Sequence, residues 1–394
     1  MAAPLTKHET SDACVVQVSG SAPDGSPILA VLAKRTYRFT PKRPLAIADA
    51  QLPLRIAPLF DTEGKDPTLM LADADTYPLK PLTDVVVRGH VYPEKKTVSH
   101  AAVRVGDVVK TIVAYGDRRA YRTPEGRIAF SAAEPFEKIP LSYAHAYGGR
   151  DARAEAKNPW PLKGLAPHVD PKQLDVGAHS PYLYARNRHG RGYLFEATKE
   201  ALEELVLPNL EDPEDPLTGD RLVVPGIDAW HTQPLPAGTA WIPPSHFARG
   251  VFLGMFPNWK PLPAKLREIE RGLLPPGVRE IDVFAGHPLV MRVANGASLG
   301  LAVPHLAPGA TISLTRLHEK EETVTVTLPE KAPVIEVDGR GGKLVATKPV
   351  LHTVEIEPDA SRVSLVWRGA APALRPYLHH ELAKMPLLVE WRDR

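Results

Sequence analysis

The sequence lacks several features that mark whole classes of protein. Its 394 residues contain a single cysteine, Cys14, which excludes a disulfide within the chain and a zinc cluster built from thiolates. No apolar run reaches the ~18 residues of a membrane span, and the N-terminus lacks the apolar core of a signal peptide. Lysine and arginine (48) balance aspartate and glutamate (46). We therefore expect a soluble, cytoplasmic protein with no nucleic-acid or membrane partner.

Proline is abundant instead. The chain contains 42 prolines, which is about twice the average share of about 5% in proteins. Proline removes a backbone donor and interrupts helices and central strands. Because the prolines alternate with apolar segments along the chain, they predict short strands joined by long, ordered loops.

Strand patterns recur towards both ends of the chain. Residues 13–18 and 28–39 predict a hairpin, and residues 83–116 predict an antiparallel meander. The later strands are predicted at 322–328, on either side of a turn at 338–342, and as a pair over 351–369 that turns at 358–360. Helices are predicted only at 197–206, 263–274 and 374–385.

These patterns predict a mainly β fold: antiparallel sandwich- or barrel-like sheets with long proline-rich ordered loops and a few short helices. We divide the chain into three regions. Residues 1–150 are predicted to form an N-terminal antiparallel β domain, and residues 151–275 a loop- and aromatic-rich middle region with two short helices. Residues 276–394 are predicted to form a C-terminal β region packed on the first.

The sequence offers little evidence of the residue spacings that are typical of catalytic or metal-binding sites. None of the fifteen histidines has the His-Glu-x-x-His spacing of a zinc helix, although His145, His168, His179 and His189 occupy a loop-rich stretch where they could converge. No serine stands in a nucleophile elbow, and Cys14 lies in an apolar strand pattern typical of a buried, inert thiol. We expect no cofactor.

Aromatic residues are concentrated between prolines in the middle of the chain. Such a cluster can line a binding groove, although a core formed where loops wrap a sheet is the favoured interpretation. The possible partner-binding aromatics are Trp241, Phe247, Phe256 and Trp259.

The stretch PLSYAHAYGG, residues 140–149, could form either the rim of a catalytic pocket or a turn that fixes the fold. We interpret it as a strand that ends in a glycine turn. Period-two geometry would then place Tyr143, His145 and Tyr147 on one face of that strand.

The order of the turn motifs along the chain is more specific than any one of them. The motifs are KPLTDVVVRGHVY, YGDRRAY, PFEKIPLSYAHAYGG, NPWPLKG, LPNLEDP, PLPAGTAWIPPSHFARGVFLGMFPNW and LHTVEIEPDASRVSLVWRG. This series resembles a bacterial family classed as a domain of unknown function, whose members sit beside type VI secretion genes. The resemblance extends from about residue 30 to residue 370.

The resemblance implies a non-enzymatic role. Members of the family look like adaptors or chaperones that hold a toxic effector, or its PAAR-like spike-tip protein, for loading onto the VgrG spike. The expected partners are therefore such an effector or tip protein, and VgrG itself. The residues that the resemblance assigns to turns and loop anchors are Tyr143, Tyr147, Gly148, Gly149, Asn158, Pro159, Pro208, Asn209 and Glu211.

The chain departs from the family pattern in two places. The family usually has Gly-Thr-Tyr-Asp before the tryptophan, whereas this chain has Gly-Met-Phe-Pro at 254–257, and residues 275–310 also diverge. The identity of the cargo therefore stays open. The alternative function is a carbohydrate-active or hydrolytic enzyme built on the aromatic-rich middle, with His145, Asp151, Asp228 and His231 as candidate residues.

Overall fold

The computed structural model describes residues 14–22, 25–64, 68–158, 180–226, 229–242, 294–339 and 342–391. The first strands in chain order are β1 (Val15–Ser21), β2 (Pro27–Arg38), β3 (Ala46–Ile47), β4 (Leu59–Phe60), β5 (Met70–Ala72), β6 (Thr83–Val87), β7 (His90–Val91), β8 (Val98–Val105), β9 (Val108–Tyr115), β10 (Ala120–Arg122), β11 (Ile128–Phe130), β12 (Ile139–Pro140) and β13 (Tyr147–Gly148). They are followed by β14 (Arg191–Gly192), β15 (Leu210–Glu211), β16 (Ala302–Val303), β17 (Thr311–Thr315), β18 (Thr323–Thr327), β19 (Val334–Asp338), β20 (Leu344–Ala346), β21 (Val350–Glu357), β22 (Arg362–Pro372) and β23 (Leu387–Glu390).

Helices are few and short in the described ranges. They are α1 (Ala152–Lys157), α2 (Lys199–Glu204) and α3 (His379–Leu382). The helices predicted at 197–206 and 374–385 are thus present in shortened form, while the one predicted at 263–274 lies outside the described residues. None of the helices in the described ranges has the length and apolar character needed to cross a membrane.

Three sheets carry most of the strands. The largest has the order β1-β2-β22-β21-β6-β16, with β3 beside β2, and so combines strands from residues 1–150 and 276–394. The second has the order β15-β9-β8-β17-β18, and the third β20-β19-β23. Within these sheets β21 and β6 run parallel and the other neighbours run antiparallel.

The three sheets share one hydrophobic core. Val31 on β2, Val103 on β8 and Val337 on β19 are fully buried in the same apolar cluster. Burial of one face from each sheet against the others is the packing of a sandwich. The predicted mainly β fold is confirmed, and no sheet in the described ranges closes into a barrel.

The predicted hairpins are confirmed, but the meander over 83–116 is wrong in its first strand. β8 and β9 pair as expected, whereas β6 joins the large sheet between β21 and β16. The reason is visible in the burial of β6, all five residues of which are buried. A strand covered on both faces belongs in the middle of a sheet, and a continuous apolar run does not reveal which neighbours it takes.

The second face of the large sheet is buried by the long segment that connects β3 to β6. Several of the charged side chains on this face are met by an opposite charge. Lys34 on β2 lies 2.8 Å from Asp75, and Lys80 lies 2.7 Å from Asp84 on β6. All four side chains are at most 1% exposed. Because an unpaired buried charge is strongly unfavourable, these pairs determine where the connecting segment crosses the sheet.

Glu355 on β21 is the centre of the same charged face. Its carboxylate lies 2.7 Å from both Arg55 and Arg88. Burial alone would raise its pKa, but the charges of Arg55 and Arg88, the hydrogen bond from Arg88 and the charge of Lys34 outweigh burial and lower the pKa from 4.5 to about 2. A carboxylate with a depressed pKa stabilises the fold above its unfolded pKa and loses that contribution as the pH falls towards the folded pKa.

We predict a pH-dependent difference in stability between the wild-type protein and Glu355→Gln. Near neutral pH the variant should lose about 3 kcal/mol, because two arginines lose a buried partner. As the pH falls from about 4.5 to about 2, this difference should shrink towards zero, since Glu355 becomes protonated in both states. Urea unfolding at several pH values measures it. The exposed-site variant Glu63→Gln should show no such trend, and a difference that is constant with pH would contradict the assignment.

Candidate functional site

The stretch PLSYAHAYGG does not form the predicted strand. The two-residue strand β12 is followed by a 3-10 turn over Tyr143–His145 and then by β13. Ser142 caps the turn, since its hydroxyl accepts a hydrogen bond from the Ala144 amide at 3.3 Å. A serine at this position offers the backbone a local partner in place of a neighbouring strand. The expectation that Tyr143, His145 and Tyr147 share one face of a strand is therefore wrong.

The two tyrosines instead tie the turn to separate parts of the chain. The hydroxyl of Tyr143 lies 2.8 Å from the Ser298 hydroxyl, and the Tyr147 hydroxyl donates to the Gln233 side chain at 3.0 Å. The Asn187 amide donates to the carbonyls of Tyr143 and Tyr147, at 2.8 and 3.0 Å. Satisfied buried polar groups of this kind rigidify the segments that they join.

Gly148 and Gly149 allow the next segment of chain to approach closely. Both have positive φ, 148° and 95°, a region that side-chain-bearing residues rarely adopt. A Cβ at Gly148 would lie 2.2 Å from the Asn187 carbonyl oxygen, and one at Gly149 would lie 2.4 Å from that of Gly190. β13 can therefore pair in parallel with β14, which holds residues 187–190 against the turn.

Asn209 joins three segments from a buried position. Its side-chain oxygen accepts from Arg191 at 2.9 Å and contacts His145 Nδ1 at 3.0 Å. Its amide donates to the Tyr115 carbonyl at 3.1 Å and to Asp117 at 2.9 Å. Burial lowers the pKa of His145, and the positive charge of Arg191 adds to this effect, while the Asn209 contact opposes it. A neutral imidazole fits the hydrogen bond that it makes with an amide oxygen.

Glu211 and Pro208 hold the same loop from its other side. The Glu211 carboxylate pairs with Arg118 and also accepts from the Leu217 amide at 3.0 Å. Arg118 in turn donates to the Pro208 carbonyl at 2.7 Å and lies 4.1 Å from the centre of the Tyr115 ring. Asn158 ends α1, and its backbone N–H donates to the Ala154 carbonyl at 3.0 Å. Pro159 lies outside the described residues.

Of the candidate catalytic residues, His145 and Asp151 are described, and both are engaged in hydrogen bonds within the chain. His145 is engaged with Asn209, and both oxygens of Asp151 accept backbone amides, from Ala154 at 2.9 Å and from Phe195 at 2.8 Å. Asp228 and the side chain of His231 lie outside the described part of the chain. Within that part, no group of three or more His, Cys, Asp or Glu side chains is placed to hold a metal ion.

A cleft of about 310 Å³ opens beside the Tyr143 turn. Segments from six parts of the chain line it: Thr68–Leu71, Arg88 and Gly89, Pro140–Tyr143, Arg186, Asn187 and His189, Ala240 and Trp241, and Glu357, Asp359 and Ala360. Trp241, which was a predicted partner-binding aromatic, lines this cleft but is only 3% exposed. The Lys80 ammonium lies 5.2 Å from its ring centre, so the charged face of the large sheet supports the cleft directly. Phe247, Phe256 and Trp259 lie outside the described residues.

His90, Tyr92 and Asp359 form a polar edge between this cleft and a neighbouring hollow. Asp359 lies 2.6 Å from His90 Nδ1 and accepts from the Tyr92 hydroxyl at 2.8 Å. Burial and the bond to Asp359 raise the pKa of Tyr92. A carboxylate that orients an imidazole can assist proton transfer or position a polar group of a bound molecule. Sequence reasoning missed this cluster because Asp359 is 269 residues from His90. The one local signal was Gly89, where a Cβ would crowd Asp359.

An apolar hairpin, β4–β5, borders the cleft through its second strand. Leu59 and Leu71 are 52% and 36% exposed, and Ile56 just before the hairpin is 79% exposed. Leu69, Met70 and Leu71 also line the cleft. Clustered apolar side chains beside a cleft are typical of a surface that contacts another molecule.

Comparison with known proteins gives one match. A family model described as an uncharacterized protein conserved in bacteria (DUF2169) matches residues 24–368. No curated protein and no solved structure matches the chain. The match covers the Tyr143 turn, the cleft and the two large sheets apart from β1 and the end of β22.

We predict that Gly149→Ala destabilises the protein more than Gly126→Ala does. Both glycines have positive φ, 95° and 84°, so both variants should lose about 1 kcal/mol from backbone strain. Only at Gly149 would the new Cβ meet a backbone oxygen, since the space around Gly126 is open. Gly149→Ala should therefore lose about 2 kcal/mol more. Urea unfolding compares the two, and equal losses would show that close approach of residues 187–190 does not matter.

Proposed function

The chain belongs to the DUF2169 family of bacterial proteins, and from this premise we propose that it is a non-enzymatic adaptor that binds another protein. In the specific form of this proposal, it holds a type VI secretion effector, or the PAAR-like tip domain attached to one, for loading onto the VgrG spike. The secretion role is supported by the resemblance of the turn motifs and their order. The cleft with its apolar hairpin is the observation that supports protein binding.

Rigid loops are the first support for an adaptor. Asn187, which lines the cleft, bonds to the backbone of Tyr143 in the same wall, and Asn209 and Glu211 fix the adjoining loops through similar bonds. Preorganised loops lose little conformational entropy on binding, so more of the contact energy appears as affinity. A chaperone that must hold an unstable cargo benefits from such a surface.

The shape and chemistry of the cleft are the second support. A cavity of about 310 Å³ accommodates one or two side chains of a partner, and the exposed Leu59 and Leu71 can pack around them. A buried anchor surrounded by weaker contacts is the usual arrangement of binding energy in protein interfaces. The polar edge at His90 and Asp359 supplies orientation through hydrogen bonds.

The enzyme alternative has less support. His145 and Asp151, the described members of its candidate set, hold other parts of the same chain through hydrogen bonds. A general acid or base has to reach a substrate atom, directly or through one water. We therefore place hydrolysis or carbohydrate chemistry below protein binding.

We predict that Leu71→Asp disrupts binding of the cargo. Co-expression of the full chain with the PAAR-like tip protein or effector of its own secretion locus should give a complex that co-purifies in fixed stoichiometry. The charge placed on the hairpin should weaken the complex at least tenfold, about 1.4 kcal/mol, measured by calorimetry. Val206→Asp is the matched control, since Val206 is 55% exposed and does not line the cleft.

The proposal also predicts a cellular effect. Removal of the protein should lower the amount of intact effector, and the Leu71→Asp variant should restore it poorly whereas Val206→Asp should restore it fully. Absence of a complex together with unchanged effector levels would refute the secretion role. A complex equally strong with both variants would refute the cleft as its site.

A further inference from the structure

The second sheet ends in an open strand. β18 pairs with β17 on one side, and in the described part of the chain no strand pairs with its other side. The bonds from Arg316 N to Glu322 O, at 2.7 Å, and from Leu328 N to Ala310 O, at 2.9 Å, set the alternation of the ladder. By that alternation Val324 and Val326 bond inward to β17, whereas Thr323, Thr325 and Thr327 direct their N–H and C=O groups outward.

The sequence of β18 does nothing to block this edge. Its five residues are TVTVT, with neither a charge nor a proline. Natural sheets usually protect edges of this kind with lysine, proline, a bulge or a covering segment. The three threonines are also exposed, so both their side chains and their outward backbone groups are accessible.

A groove of about 840 Å³ runs beside the edge. One wall is formed by Thr325, Thr327 and residues 328–331, and the other by Tyr37 and residues 42–47. Ile47 contributes an apolar side chain that is 47% exposed. Lys42 lies 2.8 Å from Glu321, which joins the second wall to the loop that precedes β18.

The groove carries a positive charge. Lys42, Arg43 and Lys331 line it with one acidic residue, Glu330, and because Lys42 is paired with Glu321, one net positive charge remains. An extended peptide with acidic side chains would match this charge. Because the edge borders a groove lined on both sides rather than an open surface, a peptide segment fits it better than another copy of the chain.

We propose that the outer edge of β18 receives an extended segment of a partner protein, which adds to the second sheet as a sixth strand. The backbone groups of Thr323, Thr325 and Thr327 would supply the ladder hydrogen bonds. Apolar side chains of the added strand would face Leu45 and Ile47, and acidic ones Arg43. This is peptide recognition by strand addition, in which backbone bonds give affinity and the groove gives specificity. It concerns a surface separate from the cleft and does not depend on the secretion role.

The test uses random dodecapeptides displayed on phage and selected against the full-length protein. Selected peptides should alternate apolar residues and contain acidic ones, and a fluorescent synthetic copy should bind the wild-type protein in an anisotropy titration. Thr325→Pro removes one outward N–H without touching the inward ladder, so it should weaken binding at least tenfold. Thr325→Val keeps that N–H and should bind within about threefold of wild type.

Hydrogen exchange separates strand addition from other modes of binding. In the free protein the amides of Thr323, Thr325 and Thr327 should exchange rapidly, and the peptide should slow them, while Val324 and Val326 are protected throughout. Protection of Val324 and Val326 in Thr325→Pro shows that the variant folds. If that variant unfolds, Thr327→Pro replaces it.

Three results would overturn the proposal. In the first, the wild-type protein selects no peptide above the background seen with immobilised Thr325→Pro. In the second, Thr325→Pro binds the peptide as tightly as the wild type does. In the third, the peptide does not slow the hydrogen exchange of the three threonine amides. A dimer of the wild-type protein in light scattering, abolished by Thr325→Pro, would also overturn it by assigning the edge to a second copy. Because Leu71→Asp leaves this edge intact, loss of cargo binding in that variant tests the cleft alone.

Discussion

The structure depends on the pairing of buried charges on the second face of its largest sheet. A sheet with one face in the core commonly leaves the other face to water. Here Lys34, Asp84 and Glu355 stand on that other face and are met by Asp75, Lys80 and Arg55 from one long connecting segment. Each charge is tolerated in the interior only with its partner, so the pairs specify the path of the segment more strictly than apolar packing would. The cleft lies at the end of this layer, where Lys80 supports Trp241 and Arg88 reaches Glu357 at 3.4 Å.

A second set of contacts gives the loops their stiffness. The Asn187 side chain bonds to two backbone carbonyls, and the Asn209 side chain bonds to one carbonyl and to the Asp117 carboxylate. Gly149 lets residues 187–190 pass within contact distance. Such loops have little freedom left to lose on binding. The high proline content acts in the same direction, because it restricts the unfolded chain as well. A β framework that holds its own loops is thus suited to presenting a fixed surface to a partner.

Local patterns in the sequence predicted the longer strands but not which strands lie beside them. The alternation over 322–328 and the turn at 358–360 predicted β18 and the β21–β22 pair, because period two and turn chemistry act within a few residues. The placement of β6 was not predictable, because the sequence pattern of a fully buried strand does not depend on which strands lie beside it. The Ser142 cap turned a predicted strand into a 3-10 turn, a local hydrogen bond that overrides strand propensity. The contact of His90 with Asp359 depends on the tertiary fold alone, and only Gly89 hinted at a close approach.

The cleft and the β18 edge would recognise different features of a partner. As a binding site, the cleft would select side chains by shape, because its edge combines an apolar hairpin with an oriented histidine. The β18 edge would select an extended conformation, because only an extended backbone can satisfy outward groups spaced two residues apart. An adaptor that used both would recognise a folded feature and a flexible segment of the same cargo, and the two contacts would reinforce each other through their effective concentration. Such a division would explain why an open edge without protection can persist, because a bound cargo would cover it.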